Sequence, residues 1–370
     1  MILLTPGPTS VPEAVRYSMS APSIHHRTKE FECIFENTRN MLKKLFKQDE
    51  IVILSSSGTG AMDCAIQTFC QSKALIINAG KFGERFVKMA DFYNMAYKEL
   101  KYDWDTPSNT QDIIDAIKND EKIDSIFIQI CESSGGLRHP VEQIAKEIKN
   151  INQDIVVVAD AITAIGVEDI DATNIDVLIT GSQKALMLPP GLSIMGFSQY
   201  ALEKIKINDS KSFYFDLKKE LKIQQTNTTA YTPATTLIIG LEKILKLMNE
   251  EGFEQIYKKT QNRAIATRKA MEAIGLKIYP KTPALAMSSI YHDKASQILK
   301  ILKEKYNLHI AGGQDHLKGK IFRINHMGMI EPSEILWAIN SIELAIRDLG
   351  IRDFDGSANK TFIEHTQGLF

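Results

Sequence analysis

The sequence predicts an α/β protein with a mostly parallel sheet covered by helices on both faces, followed by a smaller α+β module. Three observations carry this expectation. Short, β-branched apolar runs alternate with amphipathic helical stretches between residues 51 and 180. Those runs are apolar throughout, as strands buried on both faces are. Beyond Thr235 the alternation gives way to long helical patterns with only short strand candidates between them.

Taken in order, residues 1–20 read as extended and turn-rich, because Pro6, Pro8 and Pro12 oppose an early regular helix. Ile51–Leu54 is strand-like and Ala61–Cys70 helical. Ala74–Asn78 is a second strand, and Lys81–Asn94 a second helix. Ser125–Ile130 is a third strand, followed by the helical Val141–Lys149. Ile155–Asp160 and Val177–Thr180 add two more strands. From Thr235, Leu237, Leu241, Ile244, Leu245 and Met248 fall at helical spacing until Gly252, and a second helix follows to about Ala273. The module beyond it has strand candidates at Leu276–Tyr279, Met287–Tyr291 and Ile321–Ile324, with helices at Lys294–Lys305 and Pro332–Leu349. The expected organisation is an N-terminal segment 1–20, a large domain 21–250 and a small domain 251–370. The polar tail from Asp353 to Phe370 is expected either to be peripheral or to dock on the body.

A length of 370 residues leaves room for two domains and a large core. A formal net charge of −1 argues against a broad nucleic-acid-binding or anionic-membrane surface. The four cysteines, Cys33, Cys64, Cys70 and Cys131, form no CxxC pair and no metal-like cluster with histidine. No metal site is predicted, and a reducing cytoplasmic compartment is the simplest expectation. The N-terminus lacks the basic segment and apolar core of a signal peptide, and no apolar run approaches the ~18 residues that span a bilayer.

Candidate site residues gather where the strands end. Ser55-Ser56-Ser57-Gly58-Thr59-Gly60-Ala61 follows a strand and opens a helix, so small residues and free N–H groups can approach an anion such as a phosphate. It is neither a dinucleotide fingerprint, since Asp63 stands at the third glycine position, nor a Walker loop, since the lysine is absent. An ordinary strand–helix turn has the same composition. Phe82, between Gly80 and Gly83 after the second strand, can stack on a flat ring or simply fill core space. Glu132-Ser133-Ser134-Gly135-Gly136 offers hydroxyls to a ligand, or forms a common Ser/Gly turn. Arg323, flanked by Phe322 and Ile324, suits bidentate binding of a carboxylate if it points inward, and is a surface charge if it does not. His25-His26-Arg27 can bring positive charge toward a second anionic group, or be three polar loop residues.

Asp160 ends an apolar run and Lys184 follows it in Gly181-Ser182-Gln183-Lys184. A lysine amine can form a Schiff base with an aldehyde, and a carboxylate can pair with a protonated pyridine nitrogen. Together they point to pyridoxal phosphate (PLP). Singly, each is ordinary: a surface lysine, and an aspartate opening a turn. The order of the parts is more specific, because several strand ends of one parallel sheet converge on one site.

The ordered set resembles the class V, fold-type I PLP-dependent aminotransferases, most of all the branch acting on alanine–glyoxylate, serine–pyruvate and 2-aminoethylphosphonate–pyruvate pairs. The resemblance covers nearly the whole chain. It is carried by Thr5-Pro6-Gly7-Pro8-Thr9, Ser57–Ala61, Gly80–Gly83, Glu132–Gly136, Asp160–Ala164, Gly181–Lys184, Tyr231-Thr232-Pro233 and Gly319–Gly328. It implies that Lys184 binds the cofactor and shuttles the proton, and that Asp160 pairs with the ring nitrogen. Phe82 and Ile162 would enclose the ring. Thr59, Gly60, Ala61 and Gln183 would hold the phosphate. Ser133 would sit near the ring oxygen and substrate, Arg323 on the substrate carboxylate, and Gly7 along the substrate pocket. Tyr231 or Thr232 would reach the phosphate in the other subunit of a homodimer. Phe82 is a smaller platform than the Trp or Tyr common in relatives, and Gly135 removes one hydroxyl. Two other functions remain open: a class V lyase or desulfurase, which needs a mobile cysteine, and a non-catalytic binding protein that keeps the fold.

Overall fold

The computed structural model describes residues 1–366. Seven strands build the main sheet: β1 (Glu50–Leu54), β2 (Lys73–Asn78), β3 (Ala96–Lys101), β4 (Ile123–Gln129), β5 (Val156–Asp160), β6 (Val177–Gly181) and β7 (Ser193–Phe197). Their order across the sheet is β1-β7-β6-β5-β4-β2-β3. The pairs among β2 to β6 are parallel, while β7 is antiparallel to both of its neighbours, β1 and β6. The C-terminal ends of β1, β2, β4, β5 and β6 therefore share one edge. The pleat divides the core between two helical layers: Leu75, Ile77, Val157 and Ala159 face one, and Ala74, Ile76, Val156 and Val158 the other.

Five of these strands match the runs expected from sequence to within two residues at either end. Two were not anticipated. β3 is an edge strand, largely solvent-facing and polar (Ala-Tyr-Lys-Glu-Leu-Lys), so it carries no buried-strand signature. β7 is buried throughout but interrupted by Gly196, whose missing side chain leaves room for the Phe46 ring. The reading of residues 1–20 also needs correction. Ile2–Leu3 is extended and pairs with Leu308–His309, but Glu13–Met19 is helical. Pro12 stands just before it, at the helix cap, where a proline's missing N–H costs no hydrogen bond.

A second, antiparallel sheet contains β8 (Lys277–Ile278), β9 (Met287–Tyr291), β10 (Ala311–Gly312) and β11 (Ile321–Asn325), in the order β8-β9-β11-β10. Helices Ala295–Tyr306 and Pro332–Asp348 pack on it around Ile290, Ile298, Leu302, Phe322, Ile324, Ile339 and Ile342. Helices Thr235–Glu251 and Phe253–Ala273 meet at Gly252, whose φ of +87° favours glycine. The tail is docked rather than peripheral. Helix Ser357–His365 buries Ala358 and Phe362, four residues apart on one face, and packs on helix Phe253–Ala273. Residues 367–370 of the tail lie outside the described residues. Among the described residues no helix is long and apolar enough to cross a membrane.

Candidate active site

The turn after β1 sets the first wall. Helix Gly58–Phe69 begins at Ser57, and no side chain caps its first turn. The Gly60 and Ala61 N–H groups turn back to the Ser57 carbonyl (2.8 and 3.4 Å), while those of Gly58 and Thr59 donate to no described residue and face the end of the helix that favours an anion. Bulk is excluded on the same turn: a Cβ on Gly58 would come within 2.5 Å of the Ile162 side chain, and one on Gly60 would strike the Ser56 hydroxyl. The Thr59 hydroxyl accepts from Arg85 Nη1 at 2.7 Å, which adds a positive charge beside the turn. The same guanidinium sits 4.6 Å from the Phe82 ring centre. Arg85 had no role in the sequence reading.

Phe82 is positioned by a residue that the sequence reading quoted but did not interpret. Glu132 is fully buried. Its Oε2 accepts from the N–H groups of Phe82 (2.9 Å) and Gly83 (3.0 Å). Its Oε1 accepts from the Ser134 N–H (3.1 Å) and hydroxyl (2.6 Å). Burial pushes the carboxyl above the usual range, and these donors pull the other way. One side chain thus ties the turn after β2 to the turn after β4. The available signal was an acid directly after a buried apolar run, where it must find donors.

Asp160, at the end of β5, is 4% exposed. Its Oδ1 accepts from the Ile162 N–H at 3.0 Å, and it forms no ion pair among the described residues. Burial pushes its carboxyl up to about 7; nearby Glu132 adds to the rise, while the Ile162 N–H, Arg85 and Lys184 oppose it. Lys184 follows β6. Its Nζ donates to the Pro6 carbonyl. Burial, with Arg323 and Arg85 nearby, brings its ammonium down to about 8. Two bonds from the N-terminal segment fix this loop: Thr9 N–H to the Gln183 carbonyl (3.1 Å) and Thr9 hydroxyl to the Lys184 carbonyl (2.8 Å). Gly7 lies against the Lys184 side chain so closely that any Cβ would overlap the amine, and its φ is +116°.

Arg323, on β11, reaches the main-sheet side of the site. Nη1 donates to the Ser133 carbonyl (2.7 Å), and Nε and Nη2 to the Gly312 carbonyl (3.1 and 2.7 Å). It is 8% exposed, and burial lowers its pKa. It makes no ion pair with any carboxylate among the described residues.

The structure therefore brings Gly7, Thr59, Gly60, Ala61, Phe82, Ser133, Asp160, Ile162, Gln183, Lys184 and Arg323 into one connected region. Tyr231 and Thr232 border a small pocket with Leu54 and Ser55, beside the start of the turn after β1. The Tyr231 hydroxyl donates to the Phe213 carbonyl (3.1 Å), accepts from Lys219 (3.0 Å), and its ring stacks on Tyr214 at 5.4 Å. Thr232 is exposed. His25, His26 and Arg27 belong to this second location: the two rings stack at 4.7 Å, Arg27 Nη1 donates to the Thr228 hydroxyl (2.8 Å), and that hydroxyl donates to the His26 carbonyl (3.2 Å). Among the described residues no group of three or more His, Cys, Asp or Glu side chains could hold a metal ion. Cys64, Cys70 and Cys131 are buried; exposed Cys33 lies in helix Lys29–Phe46.

This fold and these residues define a class, and comparison with known proteins gives the same one. The aminotransferase class-V family matches residues 6–340. The chain belongs to that family. A Helicobacter pylori protein named as an uncharacterized aminotransferase is 48% identical over the full length of both chains. A serine–glyoxylate aminotransferase of Hyphomicrobium methylovorum is 30% identical, covering 98% of this chain and 94% of its own. Among solved structures, an aspartate aminotransferase of subgroup IV from Thermus thermophilus matches with a TM-score of 0.87 at 28% identity, covering 94% of this chain and 99% of that one. The protein is a PLP-dependent aminotransferase.

The residues present fit that cofactor. Gln183 Oε1 is buried without a hydrogen-bond partner among the described residues, and a Cβ on Gly181 would meet both it (2.9 Å) and the Gly58 backbone N (3.6 Å) of the uncapped helix turn. Asp160 is a buried carboxyl with no cationic side chain bonded to it, as a ring-nitrogen partner requires. Lys184 presents an amine whose pKa, lowered to about 8, makes it neutral and nucleophilic at far lower pH than an ordinary lysine.

Proposed function

We propose that the enzyme moves an amino group between a small amino acid of the alanine, serine, aspartate or 2-aminoethylphosphonate class and a 2-oxo acid such as pyruvate or glyoxylate. The observation that carries the substrate reading is Arg323, a buried guanidinium bonded, among the described residues, only to backbone carbonyls. A buried cation without an acid partner is costly, and a planar substrate carboxylate can relieve that cost. The names of the serine–glyoxylate and aspartate relatives support the same substrate class.

In this reading Lys184 Nζ would hold the cofactor, and its amine would be free for proton transfer once the donor is bound. It then takes the proton from the donor Cα and returns one across the C–N bond. Bound PLP supplies an electron sink for the pair left at Cα. Asp160 keeps the ring nitrogen protonated: a pyridinium beside it offsets the burial that now holds its carboxyl up. Phe82 and Ile162 flank the ring, the Gly58–Ala61 turn and Gln183 hold the phosphate, and Ser133 and Gly7 border the substrate. The small part beginning near Gly252 carries Arg323. A homodimer in which Tyr231 or Thr232 reaches the partner's phosphate, acting in the cytoplasm, completes the proposal.

The desulfurase alternative gains no support. Cys131, the cysteine nearest the site loop, is buried, and burial pushes its thiol up to about 12.

The test is half-transamination of the PLP-loaded protein, followed by absorbance with alanine, serine, aspartate and 2-aminoethylphosphonate in turn. At least one donor should convert the cofactor to its amine form. Arg323→Gln should lower the second-order rate for an α-carboxylate donor about a hundredfold, as expected for a lost charge-assisted pair. Silence with all four donors, or an unchanged rate in Arg323→Gln, sinks the substrate assignment.

A further inference from the structure

A cavity of about 290 Å³ is walled by the residues just after Lys184, by helices Thr235–Glu251 and Phe253–Ala273, and by the segment 328–332. Its apolar wall includes Met187, Met248, Ile256, Ile335 and Phe362. Arg263, 5% exposed, lines the same space. Its Nη1 donates to the carbonyls of His326 (2.7 Å) and Gly328 (3.3 Å). Nε and Nη2 donate to no described residue. No carboxylate forms an ion pair with it among the described residues.

The acids around the cavity are already engaged. Glu251 pairs with Lys259 at 2.7 Å, and Glu331 caps helix Pro332–Asp348 through a reciprocal bond with Glu334. The Thr260 hydroxyl donates to the Ile256 carbonyl at 2.9 Å. What remains is a space of mixed character, apolar along Met187, Met248 and Ile335, in which Arg263 is a cation with no ion pair among the described residues and Lys259 is paired with Glu251. Burial lowers the guanidinium's pKa to about 10, yet it stays charged at neutral pH.

We propose that this cavity is a second small-molecule site, separate from the amino-acid site, which takes a monocarboxylate with a short apolar tail. The carboxylate pairs with the free edge of Arg263, and the tail lies among Met187, Met248 and Ile335. Its walls share chain with the catalytic site. Ala185 and Met187 directly follow Lys184, and Gly328 and Met329 follow Arg323 along the same segment. Met187 Sδ accepts from the Met329 N–H at 3.1 Å, which links the two segments across the joint. A ligand here therefore bears on the lysine and the carboxylate clamp together, without touching either.

The experiment is calorimetric titration of the PLP-loaded protein with butyrate, hexanoate and octanoate, and with hexylamine as the control of opposite charge. Hexanoate or octanoate should bind, and hexylamine should not. Arg323→Gln should bind as the wild type does, because the amino-acid site is not used. Arg263→Gln, which keeps a donor for the His326 carbonyl, should bind about tenfold or more weakly, as expected for a lost charge-assisted bond. Met329→Trp, a change at a half-exposed position on the rim, should block the longer probe without disturbing the fold. The inference is overturned if no probe binds the wild type, if Arg323→Gln abolishes binding, or if both Arg263→Gln and Met329→Trp bind normally.

Discussion

Two side chains at the centre of the site are held away from their usual ionisation, and burial is the main cause for each. For Lys184 the lowered value of about 8 sets a kinetic expectation. The neutral amine attacks the aldehyde, so the rate at which cofactor-free protein takes up PLP should rise with pH and level off above about 8. A midpoint in the ordinary lysine range, above 10, would contradict the environment described. For Asp160 the expectation concerns stability. Its carboxyl moves from 3.8 to about 7 on folding, so between those values the folded state binds the proton more tightly than the unfolded chain. The cofactor-free protein should therefore lose stability as pH rises through this window, by roughly 4 kcal/mol at most. Asp160→Asn should remove that loss, and the cofactor-free variant should be the more stable of the two at about pH 8 in urea unfolding. Adding PLP should reverse the order, because the pyridinium then pairs with the wild-type carboxylate. Equal pH profiles for the two cofactor-free proteins would show that Asp160 is not desolvated.

At the scale of elements, the active edge is held together by turns rather than by the strands themselves. Glu132 gathers four hydrogen bonds from the turns after β2 and β4. Glu132→Gln preserves the shape but turns an amide nitrogen toward donors. It should destabilise the protein by about 2 kcal/mol, the cost of leaving buried donors unpaired, and slow the PLP half-reaction by loosening Phe82. A variant as stable as wild type in denaturant would show that the network is dispensable. The same turns explain what could be read in advance. β1, β2, β4, β5 and β6 announced themselves as continuous apolar runs because both of their faces are covered. β3 lies at an exposed edge, and β7 (Ser-Ile-Met-Gly-Phe) is interrupted by glycine and has a single β-branched residue, so neither carried that signature. Glu132 and Arg85 were visible as residues, but their partners come from other turns and no local pattern reports them.

At the scale of the whole molecule, Tyr231 and Thr232 form a face beside the start of the turn after β1. That face carries Tyr214, Lys219 and, through Thr228, the His25–Arg27 loop. In the proposed homodimer it meets the partner's phosphate turn. Sedimentation should then show a dimer, and Tyr231→Ala should release PLP more readily on dilution while its absorbance at high concentration is retained. A monomer that keeps PLP at high dilution would remove Tyr231 from the site.

The sequence by itself determined the fold class, the family, and the order in which phosphate turn, ring platform, hydroxyl loop, aspartate and lysine arrive. Those are local facts: apolar runs, small residues at strand ends, and a lysine spaced beyond an aspartate. Only the tertiary structure decided which charges lack partners. Asp160, Arg323 and Arg263 owe their character to burial by segments far away in the chain, and Lys184 is held by the carbonyl of Pro6, 178 residues upstream. Burial and long-range hydrogen bonds belong to the packed molecule, so a linear pattern names the side chains but not their electrostatic state.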